Sequence, residues 1–397
     1  MKVALFTHYA DLYGANRSLL GLIDGLQGVD VEYRVFLPFD GPLVGELNAR
    51  GIPFLIAPFS TWIREPFEFR HPLLALSNVK KSIGRLVRNL SVTQGLVKEV
   101  RAWGADLVHT NSAVTPIGAL VAHVVGIPHV WHLREFCDLD YGVHFDYGKK
   151  VTVSCIYKSD AVIAVSNAIG RHYNNHAAAA KTTVIYNGIL PREHFQFYKR
   201  RSLKKSDSSG FVFALVGLIH PAKGHSLALE AIAALRGTFP TVRLVIAGDG
   251  DDRELKTQVE ELGISDHVNF LGFVSDPFSV YSAADAVLMC SKAEAMGRVT
   301  VEAMAAYRPV IASASGGSVE LVKDGVTGLL FDGSSQTLAR TMRSLMESPV
   351  LAASLADNAW SFARDNFCIE VYAEKVYNVY RRVLKKTSET AGNSNGK

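Results

Sequence analysis

Cysteine is scarce and scattered in this chain: Cys137, Cys155, Cys290 and Cys368 are all that 397 residues hold, with no CxxC pair and no His/Cys cluster. That spacing excludes a disulfide framework and a zinc site, and it points to a reducing compartment. Long hydrophobic runs are missing too. No stretch approaches the roughly 20 apolar residues of a membrane span, and the run in MKVALFTHYA is too short for a signal peptide. The expectation is a soluble, cytoplasmic protein. Nor is charge of one sign in excess: a net +4 is mild for this length and excludes nucleic acid as a main partner. What is plentiful is apolar side chain, 48% of residues, enough to build two cores in a chain long enough for two ordinary domains.

Short apolar runs alternate with helical patterns, as in a parallel sheet covered on both faces. In the first half the strand candidates are KVALFT, VEYRVFL, PFLIA, ADLVHT, IPHVWH, DAVIAVS and TTVIYN. After the polar run YKRRSLKKSDSSG (198–210), which reads as a solvated loop between units, come FVFALVG, VRLVIAG, VNFLG, AVLMC, PVIAS and GLLF. Two α/β units of similar size, without a sequence repeat, account for the pattern. Ligands of such sheets bind at the carboxyl ends of strands, so polar residues there carry the information, and the cleft between the units is the expected site.

The second half supplies the informative strand ends. In VGLIHPAKGH (216–225), Gly217 and Gly224 allow tight backbone and Lys223 stands where a cation reaches a phosphate. Taken alone, Lys223 reads more simply as a solvated lysine in a turn. AGDGDDREL (247–255) reads as a helix cap and lacks GxGxxG; NFLGFVSD (269–276) reads equally as a plain strand end or as backbone facing a base. EAMGRVTVE (294–302) differs from these. Glu294 falls in the loop after a strand, and Gly297 to Val299 open a helix whose N–H groups and dipole suit an anion. Glu302 sits inside the apolar run VTVEAMAA, where a bare charge is costly unless paired or bonded. Eight residues of helix span about 12 Å, comparable with the distance from the sugar to the ribose of a nucleotide sugar.

These residues carry a family resemblance. SKAEAMGRVTVEAMAAYRPVIA (291–312) and SGGSVELVKDGVTGLLF (315–331) resemble the carboxy-terminal half of the retaining GT-B glycosyltransferases of family 4 (group 1), and Glu294/Glu302 match that family's E-x7-E motif. LYGANRSLLGL (12–22) resembles its glycine loop, VIYNGI (184–189) its interdomain hinge and VGLIHPAKG its phosphate loop, so the resemblance touches nearly the whole chain. It implies two Rossmann-like α/β/α domains around a central cleft. Residues 1–187 would form an acceptor-side domain, 188–210 a hinge and linker, and 211–368 the nucleotide-sugar donor domain. Residues 369–397 would form a helix packing back on the first domain, with a polar tail.

The resemblance also implies roles. Glu294 would hold donor sugar hydroxyls, Glu302 the ribose, and the backbone of Gly297, Arg298 and Val299 the diphosphate, with Lys223 neutralising its charge. The substrate would be a nucleotide sugar and the acceptor a glycan or a lipid-linked molecule; retention would proceed without a metal or other cofactor. His132 in PHVWHLRE is selected as the histidine facing the reacting sugar, with His109 as competitor, and Gly14 as the glycine that lets backbone approach the diphosphate or acceptor. Two positions depart from the family pattern: Leu218 stands where a second cation is usual, and Tyr307 where glycine is usual. Arg298 is the candidate substitute cation. A sugar-nucleotide epimerase and a non-catalytic nucleotide-sugar-binding relative are the alternative readings.

Between residues 61 and 101 eight basic side chains (Arg64, Arg70, Lys80, Lys81, Arg85, Arg88, Lys98, Arg101) stand against Glu65, Glu68 and Glu99, interleaved with Trp62, Ile63, Phe67, Phe69 and leucines. The mixture is that of a helix lying on an anionic membrane, or of a solvated helix with one basic face.

Overall fold

The computed structural model describes residues 1–64, 72–174, 181–203 and 210–394. The chain forms two compact units, Met1–Gly188 with Glu370–Lys397, and Ile189–Ile369.

In the first unit a seven-stranded sheet runs in the order Phe54–Ile56, Glu32–Leu37, Lys2–Phe6, Leu107–Thr110, His129–Leu133, Ala161–Ala164, Thr182–Val184. Every pairing in it is parallel. Leu107–Thr110, His129–Leu133 and Ala161–Ala164 are buried along their whole length, which is why these runs read as continuous rather than alternating. Strand order reverses between Lys2–Phe6 and Leu107–Thr110, the topological switch point at which such sheets bind ligands. The final helix, Ile369–Ser394, belongs to this unit: Tyr372, Val376, Val379, Tyr380 and Val383, at helical spacing, enter the core formed by Val3, Leu5, Val35 and Ile163.

In the second unit the order is Val268–Gly272, Arg243–Ala247, Val212–Val216, Ala286–Met289, Val310–Ser313, Leu329–Phe331, again all parallel. Numbered within the unit this is 3-2-1-4-5-6, the Rossmann order, with its switch point between Val212–Val216 and Ala286–Met289. Phe213, Leu215, Leu229, Ile232, Leu244, Leu288 and Ile311 lie in its core. Each strand of the two parallel sheets overlaps an apolar run named above. A short antiparallel pair, Ile63–Arg64 with His144–Phe145, was not foreseen, since two residues are too few to show a period.

Two expectations change. The polar run 198–210 does not begin as a loop: residues 198–203 close the helix His194–Leu203, whose last turn suits Arg200 and Arg201 by its dipole. Lys199 of this run lies over the rings of Tyr307 (4.1 Å) and Trp360 (4.6 Å) and bonds Asp357 at 3.0 Å. Residues 204–209 lie outside the described residues. The basic segment also sorts differently. Trp62 is buried, stacked on Trp131, with its indole N–H donating to the Ala113 carbonyl at 2.8 Å. Arg85 is paired with Asp146, whose side chain is fully buried. Glu65, Phe67, Glu68, Phe69 and Arg70 lie outside the described residues.

Candidate functional site

At the switch point of the second unit two strand-end loops meet. After Val212–Val216 the chain passes through Gly217 and a single 3-10 turn, Pro221–Lys223, closed by Gly224 in the left-handed region (φ 72°). A Cβ on Gly224 would fall 2.2 Å from the Cys290 carbonyl oxygen, so only glycine lets this loop reach the neighbouring strand end. The approach brings Lys223 to Glu294: its ammonium donates to Oε2 at 2.9 Å, with the two side chains 21% and 15% exposed. Glu294 is in turn held by its backbone, its carbonyl accepting from the Gly317 N–H at 2.6 Å.

Gly297 opens the helix Arg298–Ala305 from a left-handed conformation (φ 95°, ψ 63°). A glycine N-cap offers no side-chain acceptor to the first-turn N–H groups, and a Cβ on Gly297 would fall 3.3 Å from Glu294 Cγ, so the positive end of the helix lies beside the carboxylate that Lys223 pairs with. The two carboxylates are therefore not joined by eight helical residues: 294–297 are loop, and the helical separation of about 12 Å does not apply.

Glu302 is 5% exposed and accepts from the Tyr281 hydroxyl at 2.8 Å and from Arg298 at 3.2 Å. Those two bonds supply the pairing that a charge inside the apolar run requires. They also engage Arg298, the expected substitute cation, one turn along its own helix. Leu218, 36% exposed, supplies no charge in the first loop. Tyr307 has φ 60°, a conformation glycine adopts at no steric cost.

In the first unit His132, fully buried on His129–Leu133, lies next to Arg134. The Arg134 guanidinium donates to Asn111 Oδ1 (2.6 Å), Asn187 Oδ1 (2.6 Å) and the Tyr372 hydroxyl (2.9 Å), and reaches His132 Nδ1 at 3.3 Å. A guanidinium only donates, so Nδ1 accepts and the His132 proton resides on Nε2. Burial pushes the His132 pKa well below its ordinary value, and the charge of Arg134 adds to the effect. His109 is likewise kept neutral by burial, its Nδ1 within 2.6 Å of the Tyr380 hydroxyl. Nε2 of both rings is buried without a hydrogen-bond partner among the described residues. Glu135, two residues beyond this strand, is pushed up to about 7 by burial, an effect partly offset by bonds from the Ser112 hydroxyl and the Ala113 N–H.

Gly14 is the exposed first residue of the helix Gly14–Gly25. The loop before it is tied down by Asn16, whose amide donates to the carbonyls of Tyr9 (3.0 Å) and Asp11 (2.8 Å) while its oxygen accepts from Thr7 (2.6 Å). Asn111 adds a bond to the Ala15 carbonyl at 3.2 Å. Asn16, Asn111 and Arg134 were missed in the sequence. For Asn111 and Arg134 the signal was polarity directly after an apolar strand; Asn16, in the first turn of a helix, had none. Among the described residues no group of three His, Cys, Asp or Glu side chains is arranged to hold a metal ion.

The switch-point loops thus gather a carboxylate, an ammonium and a helix N-terminus in the second unit, a set able to hold hydroxyls beside an anion. Comparison with known proteins gives two family models in succession, Glycosyltransferase Family 4 over residues 13–192 and Glycosyl transferases group 1 over residues 197–361. Alpha-monoglucosyldiacylglycerol synthase of Acholeplasma laidlawii is 25% identical over 323 residues, 74% of this chain and 79% of that one. D-inositol 3-phosphate glycosyltransferase of Salinispora arenicola is 36% identical over 205 residues, 47% of this chain and 46% of that one. Among solved structures, Anabaena Alr3699/HepE in complex with UDP superposes with a TM-score of 0.77 at 26% identity, covering 96% of this chain and 100% of that one. The same protein has been crystallised with UDP-glucose.

Proposed function

We propose that this chain, a glycosyltransferase of the GT-B, family 4 type by the match of both its halves in order, moves a sugar with retention from a UDP-sugar to a glycan or lipid-linked acceptor. Its place would be the cytoplasmic assembly of a polysaccharide or glycoconjugate. The observation that carries the reading is the Lys223–Glu294 pair beside the glycine-opened helix at the switch point. The likeness to HepE, which binds UDP and UDP-glucose, supports the choice of nucleotide.

In this reading the donor diphosphate lies at the N–H groups opening the helix at Gly297, Arg298 and Val299, and Lys223 turns from Glu294 toward it. Glu294 accepts from sugar hydroxyls. Glu302, with lone pairs beyond those used by Tyr281 and Arg298, accepts from the ribose. The acceptor oxygen bonds to the anomeric carbon as the carbon–phosphate oxygen bond breaks, and the departing phosphate takes the acceptor proton on the same face. Stabilising the leaving group is then the main catalytic task, carried by a preorganised dipole and cation without a metal. In this reading the first unit keeps His132, its proton on Nε2, as the sugar-side histidine and Gly14 as the glycine of the diphosphate or acceptor loop.

The test is transfer from UDP-glucose to a panel of glycan and lipid-linked acceptors, with and without EDTA, the product anomer being assigned by NMR. The expected result is an α-linked product formed equally well in chelator. A β-linked product, or loss of transfer that added metal restores, would overturn the mechanism.

A further inference from the structure

The long helix Pro72–Trp103 is inside out over the middle of its length. The side chains it turns inward between residues 82 and 93 are polar: Ser82, Asn89 and Thr93 are each buried. They are also satisfied. Ser82 Oγ donates to Asp146 at 2.7 Å, Arg85 donates to both oxygens of the same carboxylate, and Asn89 pairs with the backbone N–H (2.7 Å) and carbonyl (3.0 Å) of Ser60. Among the described side chains of the helix, the fully buried apolar residues, Leu96, Val97 and Val100, lie beyond Thr93, with Val92 partly buried beside them.

The apolar residues of this stretch face outward. Val79, Ile83, Leu86, Val87 and Leu90 are 53%, 54%, 42%, 58% and 52% exposed. Their spacing makes one continuous stripe on a helix. Rotating the helix to bury the stripe would break the Arg85–Asp146 and Asn89–Ser60 bonds and leave their buried partners unpaired, so the orientation is fixed from within. Exposed Lys80 borders the stripe, and exposed Lys81 and Arg88 follow around the helix. From Pro72 to Lys98 the chain contains no acidic residue. A second copy laid on this face would set cation against cation, whereas an anionic surface complements it. Among the described residues no helix is long and apolar enough to cross a membrane, so the contact is peripheral.

We propose that the outward face from Val79 to Leu90 docks on an anionic lipid surface, the stripe entering the acyl boundary and Lys80, Lys81 and Arg88 meeting the headgroups. An apolar stripe with cations along its exposed flank is how an interfacial helix binds. The proposal goes beyond the transfer reading and does not depend on it, because vesicle binding needs neither donor nor acceptor.

The full chain is sedimented with phosphatidylcholine vesicles that contain or lack phosphatidylglycerol, over a range of salt. Binding is expected only with phosphatidylglycerol, weakening steeply as salt shortens the range of the charges below about 8 Å. Changing Lys80, Lys81 and Arg88 to Gln should lower partition on the order of a hundredfold, roughly fivefold for each cation near the surface. Changing Ile83, Val87 and Leu90 to Ser should abolish binding with the cations intact. These positions are exposed, so both variants should keep the parent's melting temperature and UDP-glucose affinity. Failure of the unaltered chain to bind phosphatidylglycerol vesicles overturns the proposal, as does equal binding by the three proteins. So does a dimer in sedimentation velocity that the serine variant dissolves while vesicle binding is absent, a result that would make this face an interface between copies.

Discussion

Replacing Arg134 with methionine removes a side chain that bonds four others in the first unit. The guanidinium is buried and serves Asn111, Asn187, Tyr372 and His132, with no carboxylate among its hydrogen-bond partners in the described residues. Two buried amide oxygens, each 2.6 Å from it, would lose a charged donor, and an orphaned buried acceptor costs about 1–3 kcal/mol. Against this stands relief from desolvating a cation that no anion neutralises by direct bonding. The balance is a net loss of about 2–4 kcal/mol. For a unit of this size it corresponds to roughly 5–12 °C of melting temperature. Lysine keeps the charge but not the fork, so Arg134→Lys should fall between parent and Met variant.

A second readout separates positioning from stability. Removing the neighbouring cation lets the His132 pKa rise, so the acid limb of turnover should move to higher pH in Arg134→Met. Melting within about 1 °C of the parent, by circular dichroism, together with an unmoved pH profile would refute the network as drawn.

Gly297→Ala should destabilise the second unit and weaken UDP binding. The left-handed backbone costs a residue with Cβ about 1–2 kcal/mol, and that Cβ would crowd Glu294 and Thr300 at 3.3 Å. Calorimetry with UDP checks this; unchanged affinity and melting would contradict it. The chain should also lose stability in acid. Burial lowers His8 and His129 to about 3 and His225 to about 4, against 6.5 when unfolded. The unfolded state therefore binds the extra protons: stability is full above pH 6.5 and falls from there toward pH 4, by up to about 1.4 kcal/mol per pH unit for each histidine. Glu135, raised to about 7 from 4.5, works in the opposite direction over the same window but is one group against several. Urea midpoints at pH 7, 6 and 5 should decline in that order, and a flat or rising series would show that these histidines are not buried neutral.

The sheets were legible in the sequence because buried parallel strands are short, β-branched and apolar on both faces, and because polar residues stand out at their carboxyl ends. Lys223 and Glu294 were legible as separate strand-end residues; that they pair depends on Gly224 fitting against Cys290, which no local pattern encodes. Glu302 was singled out correctly as a buried charge, yet its partners Tyr281 and Arg298 lie on another helix and one turn away, so its satisfaction could not be read along the run. The helix around residues 79–90 was the least legible. A run of apolar residues at helical spacing is ordinarily core-facing, and it is the buried Asp146 and the backbone of Ser60, both far away in the chain, that turn its polar side inward.

The central claim, that Glu294 in the second unit recognises the sugar of a nucleotide sugar, is tested most directly by calorimetry of UDP and UDP-glucose on the parent and on Glu294→Gln. The parent should bind both. In the variant UDP should bind as well or better, because Lys223 is released from its carboxylate, while UDP-glucose should weaken by about tenfold or more, the worth of a hydrogen bond to a charged group. Equal weakening of both ligands, or no change in either, would contradict the assignment.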